Sequence, residues 1–262
     1  MEPQLSGRYG LLRQFFASKA KVAVAFSGGV DSSLVLHAAA DSIGRENVLA
    51  LHARLAFQPE EDATHVVEIA DLVGCPVHIL PINPLEWPEF VENPVNRCYI
   101  CKKKIFRAFW DHLKKEKIDC LVDGTNADDL QQFRPGLKAL VESKVASPLA
   151  EAGFRKTEIR TLSRFFSLPT WSKPSASCLA TRIDNGQPIT AEKLAVVAAI
   201  EQFLSERGFM GSRARLSCDR ILLELQHADN AIFFGYDCRQ DLLEYVKQWG
   251  IHKVYLDILG RE

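Results

Sequence analysis

A seven-residue stretch near the start of the chain, residues 27–33 (Ser-Gly-Gly-Val-Asp-Ser-Ser), constrains the fold most strongly. Residues 21–26 before it are mostly apolar and partly β-branched, which predicts a buried strand. Residues 34–40 after it show no strand alternation, and Asp31 or Ser32 can cap them, which predicts a helix. A strand, a glycine turn and a helix N-terminus make an anion site suited to phosphate, because backbone N–H groups and the helix dipole point at the turn. The residues expected to line this site are Ser27, Gly28, Gly29, Asp31, Ser32 and Ser33.

This stretch lacks the features of two well-known phosphate loops. No Gly-Lys-Ser/Thr follows it, as in a Walker loop, and the third glycine of a dinucleotide fingerprint is missing. The alternative is an ordinary Gly-Gly turn with a capping Asp, which the setting between a buried strand and a helix disfavours. The stretch closely resembles the PP-loop of the ATP pyrophosphatase superfamily, whose members split ATP between the α- and β-phosphates. The resemblance implies that the loop holds the leaving pyrophosphate and that Asp31 helps to place Mg²⁺.

Strands and helices alternate through the first two thirds of the chain. Strands are predicted at residues 21–26, 47–53, 77–81 and 119–123, and helices at 5–17, 34–40, 60–73, 99–117 and 157–167. This alternation predicts an α/β fold in which a parallel sheet carries helices on both faces. Ligands of such sheets bind beyond the carboxyl ends of the strands. The Ser27 loop, Arg54 and Gly124 are expected to lie at those ends and to bind ATP.

A different pattern follows a polar, turn-rich stretch at residues 172–186, which predicts an active-site loop and then a linker. Helices are next predicted at residues 190–207 and 240–249, and strands at 213–216, 221–225 and 253–258. This order predicts a small α+β unit. We therefore expect a PP-loop ATP pyrophosphatase domain at residues 1–185 and a small C-terminal domain, for substrate binding or oligomerisation, at residues 186–262.

The composition disfavours several classes of protein. The 262 residues are enough for one large domain or a domain with a smaller partner, and a hydrophobic fraction of 47% supports a full core. A net charge of −1 disfavours a broad nucleic-acid-binding surface, and no apolar run is long enough to span a bilayer. The first residues lack a basic-then-apolar signal, so we expect a cytoplasmic protein with no nucleic-acid or membrane partner. Seven cysteines in such a chain favour buried, metal-binding or catalytic roles over disulfides.

The segment at residues 123–129 (Asp-Gly-Thr-Asn-Ala-Asp-Asp) directly follows the fourth predicted strand. Gly124 would let the backbone approach a nucleotide, and Asp128 and Asp129 could cap the next helix or face a metal. A plain strand-to-helix turn is the commoner meaning of such a segment. Its place at the expected ligand edge, and the Arg-Pro-Gly run at residues 134–136, favour a nucleotide role.

Cys98 and Cys101 form a Cys-x-x-Cys pair at the start of a predicted helix that continues with three lysines. The pair places two thiols on one turn, and a helix N-terminus with nearby lysines favours thiolates. The alternatives are two buried cysteines or a thioredoxin-type redox pair. The redox interpretation needs a strand directly before the motif, and residues 93–97 (Asn-Pro-Val-Asn-Arg) do not predict one. A metal or cluster site would need further ligands.

Cys178 is a candidate for such a further ligand. It lies in a predicted polar loop between Lys173 and Arg182, where a thiolate would be stabilised. The alternative is a buried structural cysteine, which is the usual role of a lone cysteine. The cysteines that fit that alternative are Cys75, Cys120, Cys218 and Cys238.

Arg213 and Arg215 alternate on a predicted strand, so both guanidinium groups are expected on one face. Such a pair suits a phosphate. A solvated charged face is the alternative, and the arginine pattern taken alone favours it.

Six segments together resemble the LarE family of ATP-dependent sulfur transferases, which take part in making the nickel-pincer nucleotide cofactor. They occur in this order: residues 27–33, 123–136, 147–149, 156–160, 173–182 and 213–215. The resemblance extends through nearly the whole chain. The loop alone identifies only the superfamily, whereas the runs at 123–136 and around Cys178 are much more specific.

The resemblance implies a reaction and a set of roles. The family adenylates a carboxylate on a pyridinium mononucleotide derived from nicotinic acid, and sulfur then displaces AMP to leave a thiocarboxylate. It further implies Mg²⁺ for the ATP step, a sulfide or other sulfur donor, and a homo-oligomer, since hexamers are known in the family. By position, Cys178 handles sulfur, Arg213 and Arg215 hold the substrate phosphate, and Arg182 assists. Asp128 joins the residues expected to bind ATP.

The number of cysteines separates two branches of the family. In one branch the cysteine matching Cys178 gives up its own sulfur and becomes dehydroalanine. In the other branch three cysteines bind a 4Fe–4S cluster. This sequence has Cys98 and Cys101 as well as Cys178, so it matches the second branch.

Two other interpretations of the sequence stay open. A transfer-RNA thiolase, or another adenylating ligase with a PP-loop, would share the Ser27 loop but should carry a basic RNA-binding face. A nucleotide-sensing or metal-storage protein would bind zinc through Cys98 and Cys101. Pyrophosphate release from ATP on adding substrate separates an enzyme from a sensor.

Overall fold

The computed structural model describes residues 3–58, 60–132, 135–174, 177–235 and 238–261. The strands are β1 (Val22–Ala25), β2 (Val48–Leu55), β3 (Val77–Ile82), β4 (Leu121–Val122), β5 (Arg213–Ser217), β6 (Arg220–Glu224) and β7 (Lys253–Leu256). The helices are α1 (Pro3–Ala17), α2 (Val30–Ile43), α3 (Glu60–Val73), α4 (Pro88–Val91), α5 (Arg97–Glu116), α6 (Ala127–Leu130), α7 (Pro135–Glu142), α8 (Pro148–Glu151), α9 (Lys156–Phe165), α10 (Ala191–Glu206), α11 (Asp229–Gly235) and α12 (Cys238–Lys247). None of the described helices combines the length and apolar character needed to cross a membrane.

The chain forms two compact units. The first contains Met1–Asn83 and Asn96–Lys173, and the second contains Pro84–Val95 and Pro174–Glu262. Residues 84–95 belong to the second unit because buried Asn93 donates to the carbonyl oxygens of Asp184 and Gln187, at 2.8 and 2.9 Å. The units therefore part at residue 173, whereas the domain boundary near Asn185 stays a prediction.

The first unit contains a four-stranded parallel sheet in the order β3-β2-β1-β4. From β1 the chain moves outward through β2 and β3 on one side, and β4 is added on the other side of β1. The strand order thus reverses between β1 and β4. In open parallel sheets ligands bind in the crevice beyond the carboxyl ends at such a reversal.

Both faces of this sheet are buried. Val22 and Val24 of β1 pack in one cluster with buried residues of α1, α2 and α9. Ala23, between them, packs on the opposite face with Phe106 and Phe109 of α5. Successive strand residues point to opposite faces, so an uninterrupted apolar run is required when helices cover both. The predicted α/β fold with helices on both faces is confirmed.

The second unit contains a small mixed sheet in the order β5-β6-β7. Strands β5 and β6 are antiparallel, and β6 and β7 are parallel. Helix α10 contacts β5, and Leu194, Val197 and Ile200 on α10 are buried. The predicted small α+β unit is confirmed.

The start of α2 and three short helices differ from the sequence predictions. Helix α2 begins at Val30 with Gly29 as its N-cap, and no side chain caps it. The expectation that Asp31 or Ser32 caps this helix is therefore wrong, since both lie within its first turn. Helices α7, α8 and α11 were not predicted, because each is too short to show a clear 3.6-residue period.

Candidate active site

The turn after β1 depends on two glycines. Gly28 has φ of +68°, in the left-handed region, and a Cβ there would lie 3.0 Å from Cγ2 of Val66. Gly29 has an extended φ of −89°, and its N–H donates to Oγ of Ser27 at 3.4 Å. No side chain from these two positions covers the N-terminus of α2. The first N–H groups of that helix, which have no partner within the helix, are therefore available to an anion.

The hydroxyl groups of the loop hold its shape. Buried Ser33 donates its hydroxyl to the carbonyl oxygen of Gly29 at 2.9 Å. Oγ of Ser32, also buried, donates to the same carbonyl at 3.2 Å and lies 3.1 Å from Oγ of exposed Ser27. In this structure Ser32 and Ser33 thus order the turn, and their predicted contacts with phosphate stay a prediction.

Asp31 lies at the centre of a polar network that joins three elements. Its carboxylate forms an ion pair with the ammonium group of Lys156, the first residue of α9. Its Oδ1 accepts from Nδ2 of Asn126 at 3.2 Å. The Asp31 side chain is about one fifth exposed. A largely buried carboxylate with an adjacent ammonium can hold a metal–phosphate group, because Mg²⁺ prefers oxygen ligands and Lys binds phosphate oxygens.

Gly124, which follows β4, brings the second loop against the first. A Cβ at this position would lie 2.8 Å from the backbone nitrogen of Ser32 and 3.1 Å from Cβ of Asp31. Only glycine permits this approach without displacement. The sequence predicted that Gly124 lets backbone approach a nucleotide, and the structure places it against the first turn of α2, beside the expected pyrophosphate site.

Buried Asp123 fixes the conformation of the loop that follows β4. Its Oδ1 accepts from the hydroxyl of Ser147 at 2.7 Å, and its Oδ2 accepts from the hydroxyl of Thr125 at 2.6 Å. These bonds satisfy a carboxylate that would otherwise be costly to bury. Asp123 therefore positions the loop.

Side-chain hydrogen bonds hold the start of α6, the short helix that follows this loop. Asn126 is the N-cap of α6 and forms a capping box with Asp129. The carboxylate of Asp128 accepts the backbone N–H of Lys156 at 2.8 Å, and so ties α6 to the first residue of α9. The predicted capping role applies to Asp129, and the role of Asp128 in ATP binding stays a prediction.

Two basic side chains from the sequence predictions lie in the same unit. Nζ of Lys173 donates to the carbonyl oxygen of Gly28 at 3.4 Å. Arg54 is the penultimate residue of β2 and is partly buried. Because β2 runs parallel to β1, its carboxyl end shares the edge of the Ser27 loop. Arg134 lies outside the described residues.

The predicted cysteine ligands are all accessible to some degree. Cys98 is exposed and Cys101 is half-buried, and both lie in the first turns of α5. Cys178 is exposed and precedes the short 3-10 helix Leu179–Arg182. Ser175 and Ala176, within the run around Cys178, lie outside the described residues.

The other cysteines divide into two groups. Cys75 and Cys238 are buried, and burial raises the pKa of the Cys75 thiol to about 11 and also raises the pKa of Cys238. Burial likewise raises the pKa of half-buried Cys120. Cys218 is exposed, in the turn between β5 and β6. Its predicted place among the buried structural cysteines is wrong, because a hairpin turn of a small sheet faces solvent.

Arginines of the second unit pair with glutamates. Arg182 is nearly fully buried, and its Nε donates to Oε1 of Glu201 at 2.6 Å. The same Glu201 oxygen accepts the backbone N–H of Ala214 on β5 at 3.0 Å. Arg215 forms an ion pair with Glu224 on the neighbouring strand and donates to the carbonyl oxygen of Thr181 at 3.1 Å. These pairs neutralise two of the three arginines expected to hold a phosphate.

Arg213 differs from its two neighbours. Its Nε is buried and has no hydrogen-bond partner among the described residues. Burial, together with the nearby guanidinium groups of Arg261 and Arg182, lowers the pKa of Arg213 to about 10. A partly buried cation that lies near other cations is stabilised when an anion binds beside it. Arg213 is therefore a group to which an anion could bind in this unit.

Comparisons with known proteins point first to the loop and then to the whole chain. A family profile described as NAD synthase matches residues 12–93, which include the Ser27 loop. An NH(3)-dependent NAD(+) synthetase of Methanopyrus kandleri is 46% identical over 56 residues, which make up 21% of this chain and 20% of that protein. An uncharacterized protein of Synechocystis is 33% identical over 95% of this chain and 92% of its own length.

A characterised relative covers almost the full chain. The pyridinium-3,5-bisthiocarboxylic acid mononucleotide synthase of Lactiplantibacillus plantarum, a LarE protein, is 31% identical over 92% of this chain and 86% of its own length. The chain belongs to the LarE family. As a LarE protein with a PP-loop it is an ATP-dependent enzyme, and the NAD synthase profile covers only residues 12–93, which contain the loop.

The sequence predictions missed several residues that the structure pairs with the predicted ones. They quoted the segment containing Lys156 without assigning a role to that side chain, and they gave no role to Asn126, Glu201 or Glu224. The available signals were a basic residue at the start of a helix and an amide side chain close to a glycine, at the edge of the sheet where ligands bind. Neither signal identifies the residue with which the side chain pairs, because the partners are distant in sequence: Lys156 and Asp31 are 125 residues apart.

Proposed function

We propose that this LarE protein adenylates a carboxylate of a pyridinium mononucleotide with ATP and then replaces AMP by sulfur, which leaves a thiocarboxylate for nickel-pincer cofactor synthesis. Full-length similarity to the L. plantarum synthase supports the substrate class. One observation carries the ATP step. The loops after β1 and β4 meet where the strand order reverses, with Gly124 against the first turn of α2.

In the adenylation step a carboxylate oxygen of the substrate attacks the α-phosphorus of ATP. The bond from that phosphorus to the bridging oxygen breaks, and pyrophosphate leaves with the bond's electron pair. The N–H groups at the start of α2 and the open turn at Gly28 and Gly29 stabilise the charge that develops on the leaving group. Ser27, the exposed hydroxyl of the loop, is placed to donate as well.

Asp31 and Lys156 provide for magnesium and for phosphate charge. A carboxylate oxygen ligand fits Mg²⁺, so Asp31 would hold the ion when ATP binds. Magnesium would compete with Lys156 for the same carboxylate, and the released ammonium is then free to bind a phosphate oxygen. Lys173, whose ammonium reaches the Gly28 carbonyl, adds a second positive charge at the loop.

Neutralising Lys156 tests this arrangement. We expect Lys156→Met to lower kcat for pyrophosphate release by about 10²-fold, the usual effect of losing one donor to a developing charge, with little change in KM for the mononucleotide. The measurement is steady-state pyrophosphate release at saturating ATP. Lys114→Met, at an exposed lysine of α5, serves as the control. An unchanged kcat in a folded Lys156→Met protein would show that the ion pair is only structural.

The substrate phosphate is assigned to Arg213, with Arg215 and Arg182 beside it. Glu201 and Glu224 hold the latter two side chains in place. Arg213 alone of the three shows a buried guanidinium nitrogen without a partner among the described residues. A phosphate at Arg213 would relieve its repulsion by Arg261.

Replacing Arg213 should therefore separate the two substrates. We expect Arg213→Ala to weaken binding of the mononucleotide about tenfold to a hundredfold, as loss of one or two charge-assisted hydrogen bonds implies, and to leave ATP binding unchanged. Isothermal titration with each ligand measures this. Arg220→Ala, at an exposed arginine of β6, should change neither affinity. Equal losses for both ligands in Arg213→Ala would contradict the assignment.

We assign sulfur transfer to Cys98, Cys101 and Cys178. Exposed or half-exposed thiols at Cys98, Cys101 and Cys178 fit the thiolate ligands that a 4Fe–4S cluster takes. When bound, the cluster would leave one iron without a protein ligand and would supply sulfide to displace AMP. The proposal requires the three thiols to come together in the active enzyme. A cytoplasmic homo-oligomer, with hexamers as in the family, remains the expected form.

Product analysis tests the proposed function as a whole. Purified protein is incubated anaerobically with ATP, Mg²⁺, a sulfide source and pyridinium-3,5-biscarboxylic acid mononucleotide. We expect AMP, pyrophosphate and a product heavier by the replacement of oxygen with sulfur, detected by mass spectrometry. Pyrophosphate release with transfer RNA and not with the mononucleotide would favour a thiolase instead.

A further inference from the structure

Two histidines and a glutamate meet on the first unit, where the proposed reaction gives them no role. His78 is the second residue of β3, and His112 and Glu116 lie four residues apart on α5. Residues at this spacing share one face of a helix. Among the described residues, these three offer ligand atoms that all lie within 4.8 Å of one another.

The distances suit a small divalent cation. Nδ1 of His78 lies 2.8 Å from Nε2 of His112, which lies 3.9 Å from a carboxylate oxygen of Glu116. Zinc binds histidine nitrogen at about 2.0–2.1 Å, so two nitrogens on a tetrahedral ion stand about 3.3 Å apart. The nitrogen pair is half an ångström too close and the nitrogen–oxygen pair half an ångström too far. Small side-chain rotations correct both.

The two rings share one hydrogen bond, in which one ring nitrogen donates and the other accepts. The carboxylate of Glu116 lies 3.9 Å from Nε2 of His112, which is beyond hydrogen-bond distance, so the ring does not hold this carboxylate. Imidazole nitrogen and carboxylate oxygen are both zinc ligands, so one cation between them would be shared by all three side chains.

We propose that His78, His112 and Glu116 bind a zinc-type divalent cation at a site separate from the active site. Three protein ligands leave one coordination position for water. His112 and Glu116 are partly exposed, which gives the ion access.

The position of the site sets it apart from both expected cofactors. His78 is near the amino end of its strand, whereas the Ser27 loop follows the carboxyl end of parallel β1. His112 is fourteen residues along α5 from Cys98, which corresponds to about 20 Å of helix. An ion here would join edge strand β3 to the far end of the helix whose first turn carries Cys98. Its effect should therefore be on stability.

Metal binding and thermal unfolding together test the proposal. To remove competing thiols, the full chain carries Cys98→Ser, Cys101→Ser and Cys178→Ser, and it is freed of metal with a chelator. We expect it to bind about one zinc ion per chain and to unfold at a higher temperature when zinc is added. His112→Asn and His78→Asn should lose both effects, with zinc affinity at least about tenfold lower.

Control variants distinguish loss of zinc binding from a general effect on folding. His227→Asn, at an exposed histidine of the second unit, should bind zinc normally. Glu116→Gln changes only a partly exposed end residue of α5, so it should fold and still bind zinc more weakly. Circular dichroism checks folding of every variant. The proposal is overturned if zinc binding is equal in all of them, or if the histidine variants lower the unfolding temperature equally with and without zinc, which would indicate a hydrogen bond only.

Discussion

Replacing Gly29 by valine is expected to abolish ATP-dependent pyrophosphate release while the chain still folds. Gly29 has a φ that L-residues adopt, and the nearest contact of an added Cβ is Oγ of Ser27 at 3.3 Å. The branched methyl groups of valine would nevertheless stand over the free N–H groups of α2 and exclude the pyrophosphate. Losing these donors implies a rate lower by about 10²-fold or more. Pyrophosphate release with ATP and the mononucleotide measures it.

Other glycines provide the controls. Gly10→Val lies on α1, where an added Cβ meets nothing within 4 Å, so the same substitution there should leave the rate unchanged. Gly29→Ala should fall between the wild-type and valine proteins. Gly28→Ala tests a different property, because the left-handed φ of Gly28 predicts a loss of stability. Normal release by a folded Gly29→Val protein would refute the assignment of this loop.

The second large effect concerns the cysteines. We expect protein purified without oxygen to contain an oxygen-sensitive 4Fe–4S cluster, and Cys98→Ala and Cys101→Ala to lose the iron. With sulfide supplied, the wild-type enzyme should turn over repeatedly, and Cys178 should keep its mass. Iron and sulfide analysis, an absorption spectrum and the mass of the spent enzyme measure these outcomes.

Cys218→Ala provides the matched control for the cluster. Cys218 is exposed, as Cys98 and Cys178 are, but it lies in the turn between β5 and β6. It should keep iron and activity. The sacrificial mechanism makes the opposite prediction: no iron in the anaerobic protein, and Cys178 lighter by one hydrogen sulfide after a single turnover. That pair of results would exclude the cluster.

Local patterns predicted most of the first unit. The strand, turn and helix around Ser27 depend on neighbours within a few residues, so β1 and α2 could be located from the sequence. Helix α3 matches its prediction at both ends, since Gly74 stops it. Helices α7 and α8 could not be located, because elements of this length are set by tertiary packing more than by periodicity.

The sequence by itself determined the fold class, the strand, turn and helix around Ser27, and the resemblance to the LarE family. Only the tertiary structure decided which side chains meet. It paired Asp31 with Lys156, and it set Gly124 against Ser32. It also left Nε of Arg213 without a hydrogen-bond partner among the described residues and placed His78 beside His112. The physical reason is distance along the chain: backbone conformation follows from adjacent residues, whereas an ion pair or a ligand set forms only when distant segments pack together.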